Sequence, residues 1–146
     1  MSNKFKEFFI SVIGKDIGEF VTTFTGWLNG KVLEVGEGYI VMEFTNRKDM
    51  CNPSGFMHGG VHAAIIDDVI GMTVASLGNE HHFVSVNLNV DFLGNIKEGE
   101  KVICRSKVVR KGKQIIHMIC EIQDVNGKLL SKASSNMVVS SIKKEY

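Results

Sequence analysis

Hydrophobic positions change their period several times along the chain, and each change marks an element. Phe5, Phe8, Phe9 and Val12 recur at helical spacing within residues 3–13, and Gly14 stops the run; this predicts a short amphipathic helix, which we expect to lid part of the fold. Residues 20–28 are aromatic and punctuated by Gly26 and Asn29-Gly30, a pattern that fits a strand or irregular structure equally. Residues 31–35 and 39–44 flank Gly36-Glu37-Gly38 and predict a β-hairpin. A loop over 52–58, holding the only proline, Pro53, leads to Gly59-Gly60 and then to a run that is apolar nearly all round: Val61, Ala63, Ala64, Ile65, Ile66, Val69, Ile70, Met72, Val74 and Ala75. A helix with no polar face must be enclosed by the rest of the fold.

Beyond Gly78-Asn79 the pattern is all strand. Val84, Val86, Leu88, Val90 and Phe92 alternate with Ser85, Asn87, Asn89 and Asp91, which predicts one apolar and one polar face. Residues 101–109, 114–123 and 128–140 continue the series, joined by Arg110-Lys111-Gly112-Lys113 and by the hairpin signal Asn126-Gly127. The order helix, two strands, long apolar helix, four strands predicts an α+β fold, a curved antiparallel sheet around one helix with a short N-terminal helix.

The 146 residues suffice for a single domain, 1–146, with residues 1–29 as an N-terminal helix and aromatic segment and 30–140 as the core. At 44% hydrophobic and a net charge of +1, the chain offers no electrostatic case for nucleic acid or an anionic membrane. A small molecule or a second copy of the chain is the expected partner. Cys51, Cys104 and Cys120 are odd in number and lack metal-ligand spacing. The apolar run at residues 8–13 is broken by Ser11 and is too short for a signal or a membrane span, so the expected compartment is a reducing cytoplasm.

Two adjacent acids, Asp67 and Asp68, interrupt the apolar helix. Burying a carboxylate costs free energy unless a partner or a reaction uses it. At the start of the same helix Gly59 and Gly60 offer backbone N–H groups that lack intrahelical partners, in a field that favours an anion. Eight residues at ~1.5 Å rise separate Gly59 from Asp67 by roughly 12 Å along the axis. One carbonyl cannot touch both, so the acid that meets Gly59 must come from an antiparallel helix of a two-fold-related copy. The expectation is a homodimer with two shared sites.

Asn52, the triplet His58-Gly59-Gly60, Asp67 nine residues after the histidine, Ser85 early in the next strand, and Gly112-Lys113 between two later strands resemble the PaaI-like acyl-CoA thioesterases of the hotdog superfamily, over about residues 30–140. The resemblance implies a hotdog fold, hydrolysis of an acyl-CoA thioester to free acid and CoA, the same cross-subunit site, and a homotetramer. Asp67 would act as general base or as nucleophile; Asp68 departs from the family pattern and is the alternative acid of the pair. The Gly59 N–H would hold the developing oxyanion. Asn52 would orient water or substrate, His58 would hold the loop or the leaving sulfur, and Ser85 would hydrogen-bond the water. CoA contacts are expected from Gly60 and from the turn Arg110, Lys111, Gly112 and Lys113, whose cations suit phosphate and whose glycine permits close approach; a solvated hairpin turn is the competing reading.

His58 and His62 stand at i, i+4, but no third ligand is placed, so neither a metal nor a cofactor other than the CoA of the substrate is expected. Cys51 reads as a packing thiol, His62, His81 and His82 as structural or exposed, His117 as interfacial or satisfied by a neighbour, and Phe20, Phe24 and Trp27 as core or acyl-pocket wall. Two rival functions remain at this point: a non-catalytic acyl-CoA or fatty-acid binder, and a hotdog acyl-thioester dehydratase or hydratase.

Overall fold

A computed structural model of the protein describes residues 3–145; Met1, Ser2 and Tyr146, the ends of the expected domain, lie outside the described residues. Helix α1 spans Lys4–Ser11, with the Asn3 side chain accepting from the Lys6 N–H at its start. A 3-10 turn at Ile17–Glu19 leads to a second short helix, α2, Phe24–Leu28. Residues 20–28 therefore contain a helix, where the sequence suggested a strand or irregular structure. Five residues do not sustain a helix alone; tertiary partners described below hold this one.

Strands β1 (Lys31–Gly36) and β2 (Tyr39–Thr45) form the expected hairpin. The long helix α3 covers Gly59–Ala75, and β3 (His81–Phe92), β4 (Lys101–Lys111), β5 (Ile115–Asp124) and β6 (Leu129–Lys143) complete one antiparallel sheet. Its order is β1-β2-β4-β5-β6-β3, so β3 crosses to the far edge and pairs with β6 alone. The architecture is the α+β hotdog arrangement expected. Ile65, Ile66, Val69 and Ile70 of α3 are fully buried against Met42, Phe44, Cys104, Met118 and Ile122 of the sheet. Each such side chain contributes about 1.5–3 kcal/mol relative to exposure. Among the described residues no helix is long and apolar enough to cross a membrane.

Two expectations need correction. The sheet does not wrap α3 all round: Gly60 and Asp67 are exposed, and Ala63, Ala64 and Gly71 are only partly covered. A single sheet reaches one side of a helix, which leaves this stripe open. The alternation in β3 is also broken. The pairing shifts between Ser85↔Met137 and Asn87↔Asn136, so Val86 is an extra residue and the strand bulges there. Leu88 and Val90 pack on the core after the bulge, and Phe83 does so before it. Val84 and Val86 lie at the surface, 49% and 64% exposed. The bulge moves Ser85 to the face that looks at α3.

Candidate active site

The loop ahead of α3 is built by Asn52. Its Oδ1 accepts from the backbone N–H groups of Ser54 and Phe56, at 3.0 and 3.1 Å, and its own N–H donates to the Phe56 carbonyl at 2.7 Å. The carboxamide oxygen is thus committed to the loop, which leaves the amide nitrogen as the group with freedom to meet a substrate.

His58 caps the helix. Its Nδ1 accepts from the Gly60 N–H at 2.8 Å, and its carbonyl accepts from the N–H groups of Val61 and His62. Three of the first amides are thereby satisfied. The Gly59 N–H has no hydrogen-bond partner among the described residues. Of the two glycine donors expected at this helix start, Gly60 is consumed internally and Gly59 is the one left without a partner among the described residues. A Cβ at Gly59 would meet nothing closer than the Phe92 ring at 3.4 Å, so packing inside the protomer tolerates a methyl group there. The glycine keeps the approach to its own N–H open. At Gly60 a Cβ would stand 3.0 Å from His58 Nδ1 and crowd the cap.

Behind this turn, His62 is buried and holds three elements together. Its Nε2 lies 3.2 Å from Asn95 Oδ1, and its Nδ1 lies 3.1 Å from Ser131 Oγ. Because Asn95 Oδ1 already accepts from the Ile96 N–H and Asn95 Nδ2 donates to the Met57 carbonyl, Nε2 is the imidazole donor and Nδ1 accepts from Ser131. Burial pushes the His62 pKa down, with the Asn95 contact partly opposing it. Sequence reasoning placed His62 among structural histidines but not in this network, since its partners lie 33 and 69 residues away.

The two acids diverge. Asp67 is exposed, contrary to the expectation of a buried carboxylate, and its Oδ1 accepts from Ser85 Oγ at 3.2 Å. Asp68 takes the enclosed position instead. Its Oδ1 accepts from Thr25 Oγ1 at 2.7 Å, while its Oδ2 is buried without a partner. Burial raises the Asp68 pKa above the usual carboxylate range, the Thr25 hydrogen bond opposes this, and the nearby Asp67 charge adds to it. A successive residue on a helix turns by about 100°, so one acid faces β3 and the other faces α2.

Asp67 and Ser85 line a groove of about 520 Å³, with Gly60, Ala63 and Ala64 as its floor and Leu88 and Phe24 on its sides. The cationic turn is elsewhere. Arg110 and Lys111 end β4, and Arg110, Lys111 and Lys113 are all exposed. The register Lys111↔Ile116, Ile116↔Met137, Met137↔Ser85 puts Lys111 in one row with Ser85, three strand spacings or roughly 14 Å away. Gly112 is required by the turn itself, because a Cβ would stand 2.7 Å from the Ile115 carbonyl oxygen.

Cys51 packs, with its Sγ 3.4 Å from both Asn46 Nδ2 and the Arg47 carbonyl. His117 is satisfied by Asn136 at 2.8 Å. Among the described residues no three His, Cys, Asp or Glu side chains gather as a metal site.

Residues 54–131 match the model of a family described as the thioesterase superfamily. A protein of Thermoplasma acidophilum described as a "putative esterase" is 35% identical over 103 residues, covering 70% of this chain and 77% of that protein. Human acyl-coenzyme A thioesterase 13 is 24% identical over 106 residues, covering 70% and 76%. The crystal structure of zebrafish thioesterase superfamily member 2 superposes with a TM-score of 0.78 at 21% identity, covering 94% of this chain and 97% of that one, which is a likeness of fold.

Proposed function

We propose, because the chain belongs to the thioesterase superfamily and is a thioester hydrolase, that its substrate is an acyl-CoA and that each reaction centre is shared by two copies of the chain. The observation that carries this reading is the carboxylate of Asp67, held by the Ser85 hydroxyl in an open groove on the same helix that presents the unpaired Gly59 N–H at its tip. Roughly 12 Å of helix separates the two groups within a protomer. The open stripe on α3 and the unpaired edge of β3, with Val84 and Val86 exposed, both favour a second copy packed two-fold against the first. In that assembly the partner's α3 runs antiparallel and exchanges acid for amide. The family resemblance extends this to a dimer of dimers in the cytoplasm.

The chemistry follows from the groups. The thioester carbonyl accepts from the Gly59 N–H, which is polarised by the helix start and strengthens as the oxygen gains negative charge. Asp67 either takes a proton from water as that water attacks the carbonyl carbon, or attacks the carbon itself and forms a mixed anhydride that water then cleaves. In both routes the carbon–sulfur bond breaks, CoA leaves as thiolate and is protonated, and the free acid is released. Ser85 orients the carboxylate or the water, and the Asn52 amide nitrogen and the His58 ring border the approach. Lys111 and Lys113, with Arg110, would meet the CoA phosphates at the end of the long pantetheine arm.

A hydratase is disfavoured because the His58 Nδ1 is occupied by the Gly60 N–H. A pure binder has no use for an acid fixed by a hydroxyl. The test is release of free thiol from a panel of acyl-CoAs, followed with a thiol reagent. Stoichiometric thiol and free acid support hydrolysis. Binding without thiol, or substrate turnover without thiol, overturns it in favour of one of the two rivals.

A further inference from the structure

Strand β3 passes both of the groups assigned to the reaction. After the bulge, Leu88, Val90 and Phe92 alternate on the face toward α3, the face that also carries Ser85. Ser85 reaches Asp67. Phe92, the last residue of the strand, reaches the start of the helix: three atoms of its ring lie 3.4–3.8 Å from the point where a Cβ on Gly59 would stand. The acid therefore has a hydroxyl of β3 beside it, and the unpaired amide has an aromatic ring of the same strand.

That ring is held in place. It meets the His62 imidazole at 80° with centroids 5.9 Å apart, an edge-to-face arrangement. His62 is itself buried and fixed by Asn95 and Ser131. Ser131 is also the residue that pairs with Phe92 across β3 and β6, so backbone and side chain tie the ring to one network. Phe92 is nevertheless 56% exposed. One part of it rests on His62, and a larger part is left for something else to cover, next to Gly59.

We propose that Phe92 contacts the thioester unit of the substrate at the Gly59 N–H and excludes water from that donor as the oxyanion forms. This rests on the acyl-CoA reading above and adds a substrate-contacting residue to it. A carbonyl oxygen that accepts from Gly59 sits about 2.9 Å from its nitrogen. The atoms bonded to that carbonyl carbon are then within reach of a ring that already touches the glycine. An N–H surrounded by water stabilises an oxyanion weakly, because water competes for both partners; with a ring beside it and substrate over it, the same hydrogen bond acts in a less polar setting and is stronger. In the two-fold assembly Gly59 brings Phe92 from its own chain, and the acid arrives from the second copy. The ring and the carboxylate then face the same carbonyl without competing for one place.

The test measures kcat and KM by thiol release from acetyl-, hexanoyl- and decanoyl-CoA, for the whole chain as wild type, Phe92→Leu, Phe92→Gln and Phe92→Ala. Leucine keeps an apolar cover, whereas glutamine fills similar space with a polar end. In Phe92→Gln and Phe92→Ala, kcat and kcat/KM should fall together by roughly tenfold, and in Phe92→Leu by about threefold or less, short of the roughly 10²–10³-fold lost with an oxyanion donor itself. The factor should be the same for all three acyl groups, because the ring meets the part of the substrate they share. A ring that served only to pack on His62 would shift urea midpoints and leave kcat in place. Unchanged kcat in Phe92→Gln and Phe92→Ala overturns the proposal, as does a loss in Phe92→Leu as large as in Phe92→Gln. A loss that grows with acyl length also overturns it, since the ring would then be a wall for the chain. Wild type that releases no thiol from any acyl-CoA overturns the acyl-CoA reading itself, a separate result from an unaltered kcat.

Discussion

Asp67 and Asp68 are consecutive residues with opposite surroundings: the first is exposed and accepts from Ser85, the second is enclosed and accepts from Thr25. The doublet that the sequence presents as one anomaly is two devices, one facing the groove and one facing α2.

Asp67→Asn should lower kcat by roughly 10²–10⁴-fold, the usual contribution of a positioned general base, and should leave the melting temperature close to wild type because the side chain is exposed. Asp68→Asn should keep measurable turnover. Stopped-flow or plate-reader thiol release on both variants decides which acid reacts, and the reverse ranking would transfer the role to Asp68.

Asp68 also predicts a pH dependence of stability. Its pKa is raised in the folded chain by burial, so the folded state favours the proton more than the unfolded state does. The contribution is fully present below the unfolded carboxylate value of about 3.9 and is lost as pH rises through the higher folded value. Urea denaturation across that window should show wild type losing stability relative to Asp68→Asn as pH rises. Parallel curves would refute the assignment.

His62 predicts the opposite slope on the acid side of neutrality. Burial lowers its pKa, so the unfolded chain takes up the proton first, and stability is lost as pH falls from about 6.5 through the folded value. His62→Gln should flatten that slope. It should also cost about 1–3 kcal/mol at neutral pH, because Ser131 and Asn95 lose a buried partner. Denaturant midpoints at two pH values read both effects.

Shared reaction centres predict complementation. Gly59→Ala chains would obstruct the oxyanion donor and Asp67→Ala chains lack the acid, so each homodimer should be inactive. Coexpression at equal levels makes half of the dimers mixed, each with one intact centre, for roughly a quarter of wild-type activity. Activity no higher than the sum of the separate variants would mean that each site is built within one chain.

Charge reversal at Lys111 or Lys113 should raise KM for CoA esters with little change in kcat, since phosphate contacts bind ground and transition states alike. The increase should shrink at high salt. An unchanged KM returns the turn to a solvated hairpin.

Much of this fold was legible in periodicity. The hairpin at β1 and β2, the apolar run of α3 and the turn signals before β5 and β6 are local patterns, and each element forms where its pattern says. The His58, Gly59 and Asp67 spacing was equally readable, because a helix fixes it. What the sequence hid was long-range. Helix α2 exists because Thr25 finds Asp68 across 43 residues and Arg47 finds the Trp27 carbonyl across 20. The exposure of Asp67 depends on how far one sheet can curl around a helix, which no window of residues reports.

The bulge at Val86 puts Ser85 and Leu88 on the same side of the strand. An unbroken alternation through the same residues would turn Val84 inward and Ser85 to solvent, producing a more uniformly apolar interior and a carboxylate with no hydroxyl beside it. Deleting Val86 is therefore expected to remove the bulge and leave Ser85 and Leu88 two positions apart on one face, so that the edge strand runs regularly with the hydroxyl still beside Asp67. The irregular step in β3 is where this protein gives up regularity for chemistry.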